Sequence, residues 1–403
     1  MTDFFRTTTT TSYGQRIGKS FKGIILGIIL FFGSFVLLYW NEGQVDYSLI
    51  AKTATDVTST TPADASLTGK LIDTTGELST DKTVGDQIDA NLNGKIAFNA
   101  GSYIAVKRNV EQFAWNEHSS TTTTSNTGGN ETKETTYTYN TDWTAHPDAS
   151  DNFRQPAGHT NPELAVQPTT KTVDSAKVGI YQFDPTSVQL PDFTPLNLTA
   201  QNVTVPVGAS LTNDSYIYIG KDYKNPVVGD IRIKYSIISA SGSATIFGKL
   251  NGTTISSYAD DKNNELFFLY KGTKEEAITS LHKEYSVTIW AFRFLGFILM
   301  WAGLGMALAP LSVLTGFIPM LESVSGFLIN IATFIIALIL TAITIVISMI
   351  FHNIVALVAA IIIAGAIIGF VISSRKKGSG KPTGPSDSVT PNEPPSATLS
   401  SKQ

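Results

Sequence analysis

Four apolar runs divide the chain, one near its beginning and three near its end. The first is GIILGIILFFGSFVLLYW at 23–40, and the others are 287–308, 327–350 and 355–372. A helix of about 18 residues, rising about 1.5 Å per residue, nearly covers a hydrocarbon core of about 30 Å. The pattern therefore predicts four transmembrane helices, the last two of which are joined by a tight turn at 351–353.

Residues 41–286, between the first and second runs, follow a different pattern. Short segments recur there in which apolar and polar residues alternate, bounded by Gly, Pro, Asn or Asp. Alternation with a period of two is typical of half-buried strands. The stretch that begins at Thr273 reads instead as a helix with Thr273 as its N-cap. The sequence predicts an α+β membrane protein, whose mainly-β domain ends in a helix continuous with the second span.

The remaining segments have no regular period. Residues 309–326 are apolar but are broken by Pro319, which predicts an interfacial loop and not a span. The Ser- and Thr-rich stretch at 119–132 is predicted to be an exposed loop between two strands. Residues Thr7–Thr11 and the tail at 373–403, which is rich in Pro and Ser, are predicted to be disordered.

Basic residues flank the outermost spans. Four of them precede the first span within residues 1–22, and four follow the last span within 375–381. Because basic flanks stay in the cytoplasm, they place both termini there and the 41–286 domain on the exoplasmic side. The bulky residues at 39–42 do not suit a signal-peptidase site, so the first span is predicted to be an uncleaved signal-anchor. A cleaved export signal is the alternative.

Composition narrows the possible functions. The 403 residues carry a net charge of −4, which gives no reason to expect nucleic-acid binding. The chain has no cysteine, which excludes disulfides, thiolate metal sites and a cysteine nucleophile. Its five histidines share no metal-ligand spacing, and no P-loop, HExxH, GxSxG or dinucleotide-binding motif is present. We therefore predict a non-enzymatic protein without metal or cofactor.

A few polar residues are candidates for a structural or functional site. Arg293 lies one to two turns inside the second span, where a charge is costly and marks function by default. The alternative interpretation is structural: the Arg293 side chain extends to the outer headgroups, or it pairs with the domain or with an adjacent helix. In GHTNP, His159 is a candidate base or ligand next to Asn161, and the alternative is a turn that hydrogen-bonds neighbouring backbone. Asp230 and Arg232 alternate on one strand, so we predict a local salt bridge between them.

Small residues recur in the predicted spans. Gly296, Gly303 and Gly305 lie in the second span, and Gly365 and Gly369 lie four residues apart in the fourth. Because small residues let helices approach closely, this pattern predicts a packed bundle or an oligomer.

Six short strings along the chain form an ordered set. They are NEG at 41–43, EQFAW at 111–115, KETTYTYNTDW at 133–143, GHTNP at 158–162, NPVVGDIRIKYS at 225–236 and TIWAFRFLGF at 288–297. The set resembles the LUMA, or transmembrane protein 43-like, family. That resemblance implies one N-terminal span, a large luminal or exoplasmic domain and three C-terminal spans. It also implies a fixed junction at Asn41, Glu42 and Gly43, where we predict a contact between Glu42 and Arg293.

The resemblance also bears on function. It implies an oligomer in the endoplasmic reticulum or inner nuclear membrane of a eukaryote, or in the plasma (inner) membrane of a prokaryote. We expect a membrane- or envelope-organising scaffold that contacts the lipid bilayer, self-associates and recruits other membrane or envelope proteins. Two alternatives remain open. One is a channel- or transport-associated protein with Arg293 in a polar path, and the other is an envelope ligand-binding or hydrolytic ectodomain that uses His159 with Asp148 or Asp151.

Overall fold

The structure is a computed structural model that describes residues 3–90, 92–314 and 319–353, and a few positions between 357 and 365. The chain divides into two compact units, residues 1–345 and 346–403. Most of the predicted fourth span at 355–372 and the whole tail at 373–403 lie outside the described residues.

Three helices among the described residues are long and apolar enough to cross a membrane. The helices are α1 (Tyr13–Glu42), α2 (Tyr47–Ala51), α3 (Lys274–Leu314) and α4 (Pro319–His352), of which α2 is the short one. The long helices contain the first three predicted spans, and many of their large apolar side chains are exposed. The predicted arrangement, with apolar helices at both ends of a mainly-β domain, is confirmed.

Twenty strands are present in the described part of the chain, and they make up most of the domain between α1 and α3. In chain order they are β1 (Asp3–Thr11), β2 (Thr55–Asp56), β3 (Leu71–Ser79), β4 (Val84–Ile88), β5 (Ile96–Gly101), β6 (Tyr103–Ser125), β7 (Glu131–Thr144), β8 (Thr169–Thr172), β9 (Ala176–Val178), β10 (Tyr181–Phe183), β11 (Thr194–Pro195), β12 (Val203–Thr204), β13 (Ala209–Leu211), β14 (Ile217–Ile219), β15 (Ile231–Ser239), β16 (Ser243–Asn251), β17 (Thr254–Ser256), β18 (Tyr258–Ala259), β19 (Glu265–Leu266) and β20 (Phe268–Tyr270).

Two sheets organise this domain. The larger one has the order β1-β7-β6-β15-β14-β13, with β11 beside β15 and β8 beside β6. In the other, β3, β9, β10, β17 and β16 pair in a closed ring, because β16 also pairs with β3. Closing a sheet in this way removes exposed strand edges. The LNGTT stretch at 250–254 forms a hairpin, since β16 and β17 pair across 251–254.

Two apolar cores lie against the sheets, and the larger sheet contributes to both, since Ile104 of β6 and Ile238 of β15 also belong to the first. The first core gathers residues such as Ile72, Ile246 and Leu269, and the second gathers residues such as Ile233 and Val110, all nearly or fully buried. The period-two alternation of these strands explains the burial, because it places every second side chain on the inner face.

The helix α3 begins with a reciprocal cap. The backbone N–H of Thr273 donates to Glu276 Oε2 at 2.9 Å, and the Glu276 N–H donates to Thr273 Oγ1 at 3.3 Å. Such a capping box satisfies N–H groups that have no partner inside the helix. From Lys274 the helix runs without interruption through the second apolar run to Leu314. The prediction of a continuous helix starting at Thr273 is confirmed.

The helices α1 and α3 touch at glycines. A Cβ on Gly27 would lie 2.7 Å from the Gly303 carbonyl oxygen, and a Cβ on Gly303 would lie 2.6 Å from the Phe31 nitrogen. Only glycine allows so close an approach. In the same bundle Leu38 of α1, Met300 of α3 and Ala337 of α4 are fully buried. Part of the predicted small-residue pattern therefore serves packing within one chain.

The segment predicted as a loop at 309–326 differs in the structure. Residues 309–314 continue α3, and α4 begins at Pro319. Proline is well accommodated at the first position of a helix, because the N–H it lacks would have no intrahelical partner there. Proline thus marks a helix start here and not a break. Within the second unit α4 ends at His352, so residues 351 and 352 of the predicted turn at 351–353 belong to the helix.

The two Thr-rich segments are strands and not disordered or loop segments. Residues 119–125 extend β6 and 131–132 begin β7, so only 126–130 form the connection. Residues Thr7–Thr11 belong to β1, which pairs with β7 along its whole length. Threonine is β-branched and favours strands wherever an edge is available for pairing. Low complexity was therefore misleading about secondary structure.

This pairing conflicts with the predicted sidedness. Asp3–Thr11 lies beside Glu131–Tyr139, so both segments occupy the same side of any membrane. The helix α1, about 45 Å long, joins β1 to the domain, and crossing a bilayer would separate its two ends. The β1–β7 pairing and a cytoplasmic N-terminus opposite an exoplasmic domain exclude each other in one conformation.

Candidate functional site

The junction where α1 ends contains the predicted residues Asn41, Glu42 and Gly43. Asn41 is fully buried, and Glu42 is the last residue of the helix. The Gly43 N–H donates to the Trp40 carbonyl at 3.1 Å and so closes the last turn. The chain then bends into α2, whose N-cap Asp46 accepts a hydrogen bond from the Ser48 N–H at 3.0 Å.

Glu42 and Arg293 form a two-bond ion pair across the junction. Arg293 Nε donates to Glu42 Oε1 at 2.8 Å, and Nη2 donates to Oε2 at 2.7 Å. The Glu42 side chain is 4% exposed and the Arg293 side chain 16%. A fork-to-fork pair of this kind holds both helices in one relative orientation. The predicted Glu42–Arg293 contact is confirmed, as is the alternative in which Arg293 pairs with an adjacent helix.

Polar and aromatic groups surround the pair. Asn41 Nδ2 donates to the Ile289 carbonyl of α3 at 3.2 Å, which adds a second link between the helices. The Arg293 guanidinium lies 4.9 Å from the centre of the Trp290 ring. A ring face attracts a cation, so this contact further restrains the guanidinium.

Two more acid–base pairs tie α3 to the domain. Lys274 Nζ lies 2.6 Å from Asp73 Oδ1 of β3, and His282 Nδ1 lies 2.9 Å from Asp46 Oδ2. Burial raises the pKa of Asp73 above its ordinary value, although the hydrogen bond and charge of Lys274 oppose the rise. We call the three pairs, Asp73–Lys274, Asp46–His282 and Glu42–Arg293, the ionic seam. In each of them α3 supplies the basic partner.

Sequence reasoning missed two of these pairs. His282 and Arg293 are 11 residues apart, which is about three helical turns, so they lie on one face of α3. That spacing is a usable signal once the helix is known to be continuous. Nothing local in the sequence indicates Asp73, since its partner Lys274 is 201 residues away.

His159 and Asn161 stabilise a turn and do not line a cleft. The His159 ring is 1% exposed, stacks on Tyr139 at 3.9 Å, and its Nδ1 is 2.9 Å from the Gln155 carbonyl. Asn161 Oδ1 accepts from the Trp115 N–H at 2.7 Å, and its Nδ2 donates to the Trp115 carbonyl at 3.0 Å. These contacts match the predicted alternative of a turn bound to backbone groups.

The hydrolytic alternative required His159 to meet Asp148 or Asp151 in a pocket. Asp148 and Asp151 do line a hollow of about 650 Å³, with Asn161 at its wall. His159 is packed away from that hollow, between Tyr139 and the Trp115 ring. The structure therefore does not bring the proposed base and acids together.

The predicted salt bridge between Asp230 and Arg232 is wrong. Asp230 precedes β15 and accepts hydrogen bonds from the Tyr218 hydroxyl at 2.5 Å and the Val227 N–H at 2.9 Å. Arg232 pairs instead with Glu111, its direct neighbour on β6. A residue directly across from Arg232 on the neighbouring strand lies closer to it than a residue two positions along its own strand, so Arg232 forms its salt bridge with the cross-strand residue.

Comparison with known proteins identifies the family. The profile of one family, described as Transmembrane protein 43, matches residues 112–354. The chain belongs to the transmembrane protein 43 family. Its matched region contains Arg293 and the β15 segment, whereas Asn41, Glu42 and Gly43 precede it. The resemblance carried by the six ordered strings is thereby confirmed.

Relatives in the transmembrane protein 43 family extend across nearly the whole chain. The protein named Transmembrane protein 43 of Rattus norvegicus is 25% identical over 386 residues, which is 90% of this chain and 92% of the relative. The protein of that name from Homo sapiens is 24% identical and covers 92% of this chain and 94% of its own length. A homologue from Drosophila melanogaster is 25% identical over 69% of this chain and 74% of its own length. No solved structure matches the chain.

Proposed function

We propose that this transmembrane protein 43 family member is a non-enzymatic, oligomeric scaffold that organises a membrane. The observation that carries the proposal is the ionic seam, together with the unbroken helix α3. Through them the β domain and the apolar bundle are joined as one body. In this proposal the β domain recruits other membrane or envelope proteins. A rigid connection between that domain and the bundle would hold these partners at a fixed position relative to the membrane.

The channel alternative has less support. Arg293, the ionisable residue proposed for a polar path, is already bound by both oxygens of Glu42. A charge engaged in this way is not available to a passing ion unless the pair opens.

The oligomer is testable on the purified protein. In a mild non-ionic detergent, light scattering coupled to gel filtration is expected to give a protein mass of at least two chains. Small residues let membrane helices approach closely, and no atom lies within 4 Å of a Cβ built on Gly23 or Gly33 of α1, which leaves room for a second copy. Crosslinking and mass spectrometry on native membranes are expected to recover links between identical peptides of two copies, and links to other membrane proteins. A mass of one chain across a range of detergent concentrations, with no such links, would contradict the proposal.

We further propose that, when α1 spans the bilayer, both termini are cytoplasmic and the β domain is exoplasmic. The β1–β7 pairing is then absent. Support comes from the basic residues before the first span and from the chemistry of lipid, which cannot satisfy the open edge of a polar sheet.

Cysteine pairs test this sidedness directly, because the chain has no cysteine of its own. Glu134 lies between Thr8 of β1 and Thr122 of β6 in register. Opposed residues of antiparallel strands are about 4.5–5.5 Å apart at Cα, which suits a disulfide. In oxidised membranes we expect a disulfide in Thr122→Cys/Glu134→Cys but none in Thr8→Cys/Glu134→Cys. Equal disulfide yields in the two variants would show that residue 8 lies on the same side of the membrane as the β domain, and would contradict the proposal.

A further inference from the structure

The outward face of β6 and β15 carries a row of polar side chains. Alternate residues of a strand share a face, and the residues between them, such as Val110 and Ile233, belong to the core. The cross-strand pairs on the outward face are Lys107 with Ser236, Asn109 with Lys234 and Glu111 with Arg232.

The only acid in this row is already neutralised. Glu111 Oε2 lies 2.5 Å from Arg232 Nε. The Arg232 guanidinium is also held between the rings of Trp143 and Tyr216, at 4.6 Å and 4.7 Å from their centres. Glu111 is therefore not free to balance another positive charge.

The two lysines of the row remain without an acidic partner. In the described part of the chain no carboxylate lies within 4.0 Å of Lys107 or Lys234. Each ammonium instead rests on a ring, Lys107 at 5.9 Å from the centre of Phe193 and Lys234 at 5.0 Å from that of Tyr216. The two lysines are diagonal neighbours, about 7–8 Å apart at the backbone. Two like charges held this close favour binding of an anion between them.

Both lysines line one hollow of about 450 Å³. Asn109 also lines the hollow, and its Nδ2 donates one hydrogen bond to Ser236 Oγ at 3.1 Å. An amide nitrogen has two hydrogens, so the second one is available to a ligand. Glu111, whose charge is paired with Arg232, lines the hollow as well, as do His146 and Tyr216.

We propose that this basic hollow binds an oxyanion, the phosphate or carboxylate group of a ligand. Lys107 and Lys234 supply the charge, and Asn109 supplies a directed donor. Phosphate and carboxylate are favoured because their oxygens accept several charge-assisted hydrogen bonds at once. This site is separate from the ionic seam and does not depend on the scaffold role.

Calorimetry on the full-length protein in non-ionic detergent tests the site. Inorganic phosphate is expected to bind the native protein with a Kd on the order of 1 mM. The double variant Lys107→Met/Lys234→Met is expected to bind it at least about tenfold more weakly, because two charge-assisted contacts are lost. The matched control Lys177→Met/Lys249→Met removes two lysines from other strands and is expected to bind like the native protein.

Titrations with other ligands identify the source of the oxyanion. Tighter binding of dihexanoyl phosphatidic acid than of inorganic phosphate indicates a lipid headgroup, and the reverse order indicates a soluble phosphate. Preferential binding of acetate indicates a carboxylate ligand. Lys107 is exposed, so Lys107→Glu provides a single variant that is expected to fold. The absence of binding to the native protein, or binding unchanged in Lys107→Glu, would overturn the proposal.

Discussion

Arg293→Met is expected to lower the thermal unfolding midpoint of the detergent-purified protein by about 3 °C or more. The substitution keeps most of the side chain's length but removes the charge. Glu42, which is 4% exposed, is then left without a cation. Leaving one partner of a buried pair uncompensated costs about 3 kcal/mol or more. The midpoint can be measured by heating samples to a series of temperatures. The folded protein that remains in each sample is then quantified by gel filtration with detection of tryptophan fluorescence.

A double-mutant cycle separates this effect from a general loss of packing. Because Glu42→Gln/Arg293→Met leaves no unpaired charge, we expect the double variant to unfold at a higher temperature than Arg293→Met alone. Lys283→Met, at an exposed position of α3, is the control and is expected to change little. Additive effects of the two single substitutions would contradict the assignment of the pair as a structural clamp.

Gly303→Leu is expected to separate α1 from α3. A Cβ at this position would lie 2.6 Å from the Phe31 nitrogen and 2.8 Å from the Gly27 carbonyl oxygen, so the two backbones must move apart. Overpacking at such a contact costs about 2 kcal/mol or more. We expect a lower unfolding midpoint and also a weaker effect of Arg293→Met in this background, because both changes disrupt the same helix pair.

Gly305→Leu is the matched control for that experiment. It lies two residues away on the same helix, and no atom lies within 4 Å of a Cβ built there. Both substitutions raise helix propensity equally, so their difference reports the α1–α3 contact alone. Equal midpoints for the two variants would show that the close contact does not contribute to stability.

The glycines also show where prediction from sequence stops. Gly303 and Gly305 look alike in the sequence, since both lie in an apolar run rich in small residues. Helical geometry turns residues two positions apart to different faces, and only the position of α1 decides which face is covered. The spacing of the glycines predicts close packing of helices, whereas the tertiary structure identifies α1 as the partner helix.

The charged residues also show which pairs can be predicted from sequence and which cannot. The Glu42–Arg293 pair is predicted because the two residues lie at the same membrane depth and the NEG string at 41–43 matches the family at the span exit. The Asp230–Arg232 pair was predicted from proximity along the strand, and it is wrong because Glu111 lies directly across from Arg232. Distance along the chain is a poor guide when a sheet offers a closer neighbour.

The Thr-rich strands are a different case. Their composition favours β structure, but it contains no apolar alternation that would mark a buried face. Whether Asp3–Thr11 forms a strand depends on the edge of β7, more than 100 residues away. A local pattern cannot indicate a distant edge.

The sequence by itself determined the membrane helices that the structure describes, the β character of the intervening domain and the helix start at Thr273. These features depend on hydrophobic period, length and capping residues, all of which act over a few neighbouring positions. The tertiary structure decided which acid each base of α3 contacts, which glycines meet, and that two lysines share one hollow. Those outcomes join residues as far apart as 251 positions, so only the folded chain brings them within bonding distance.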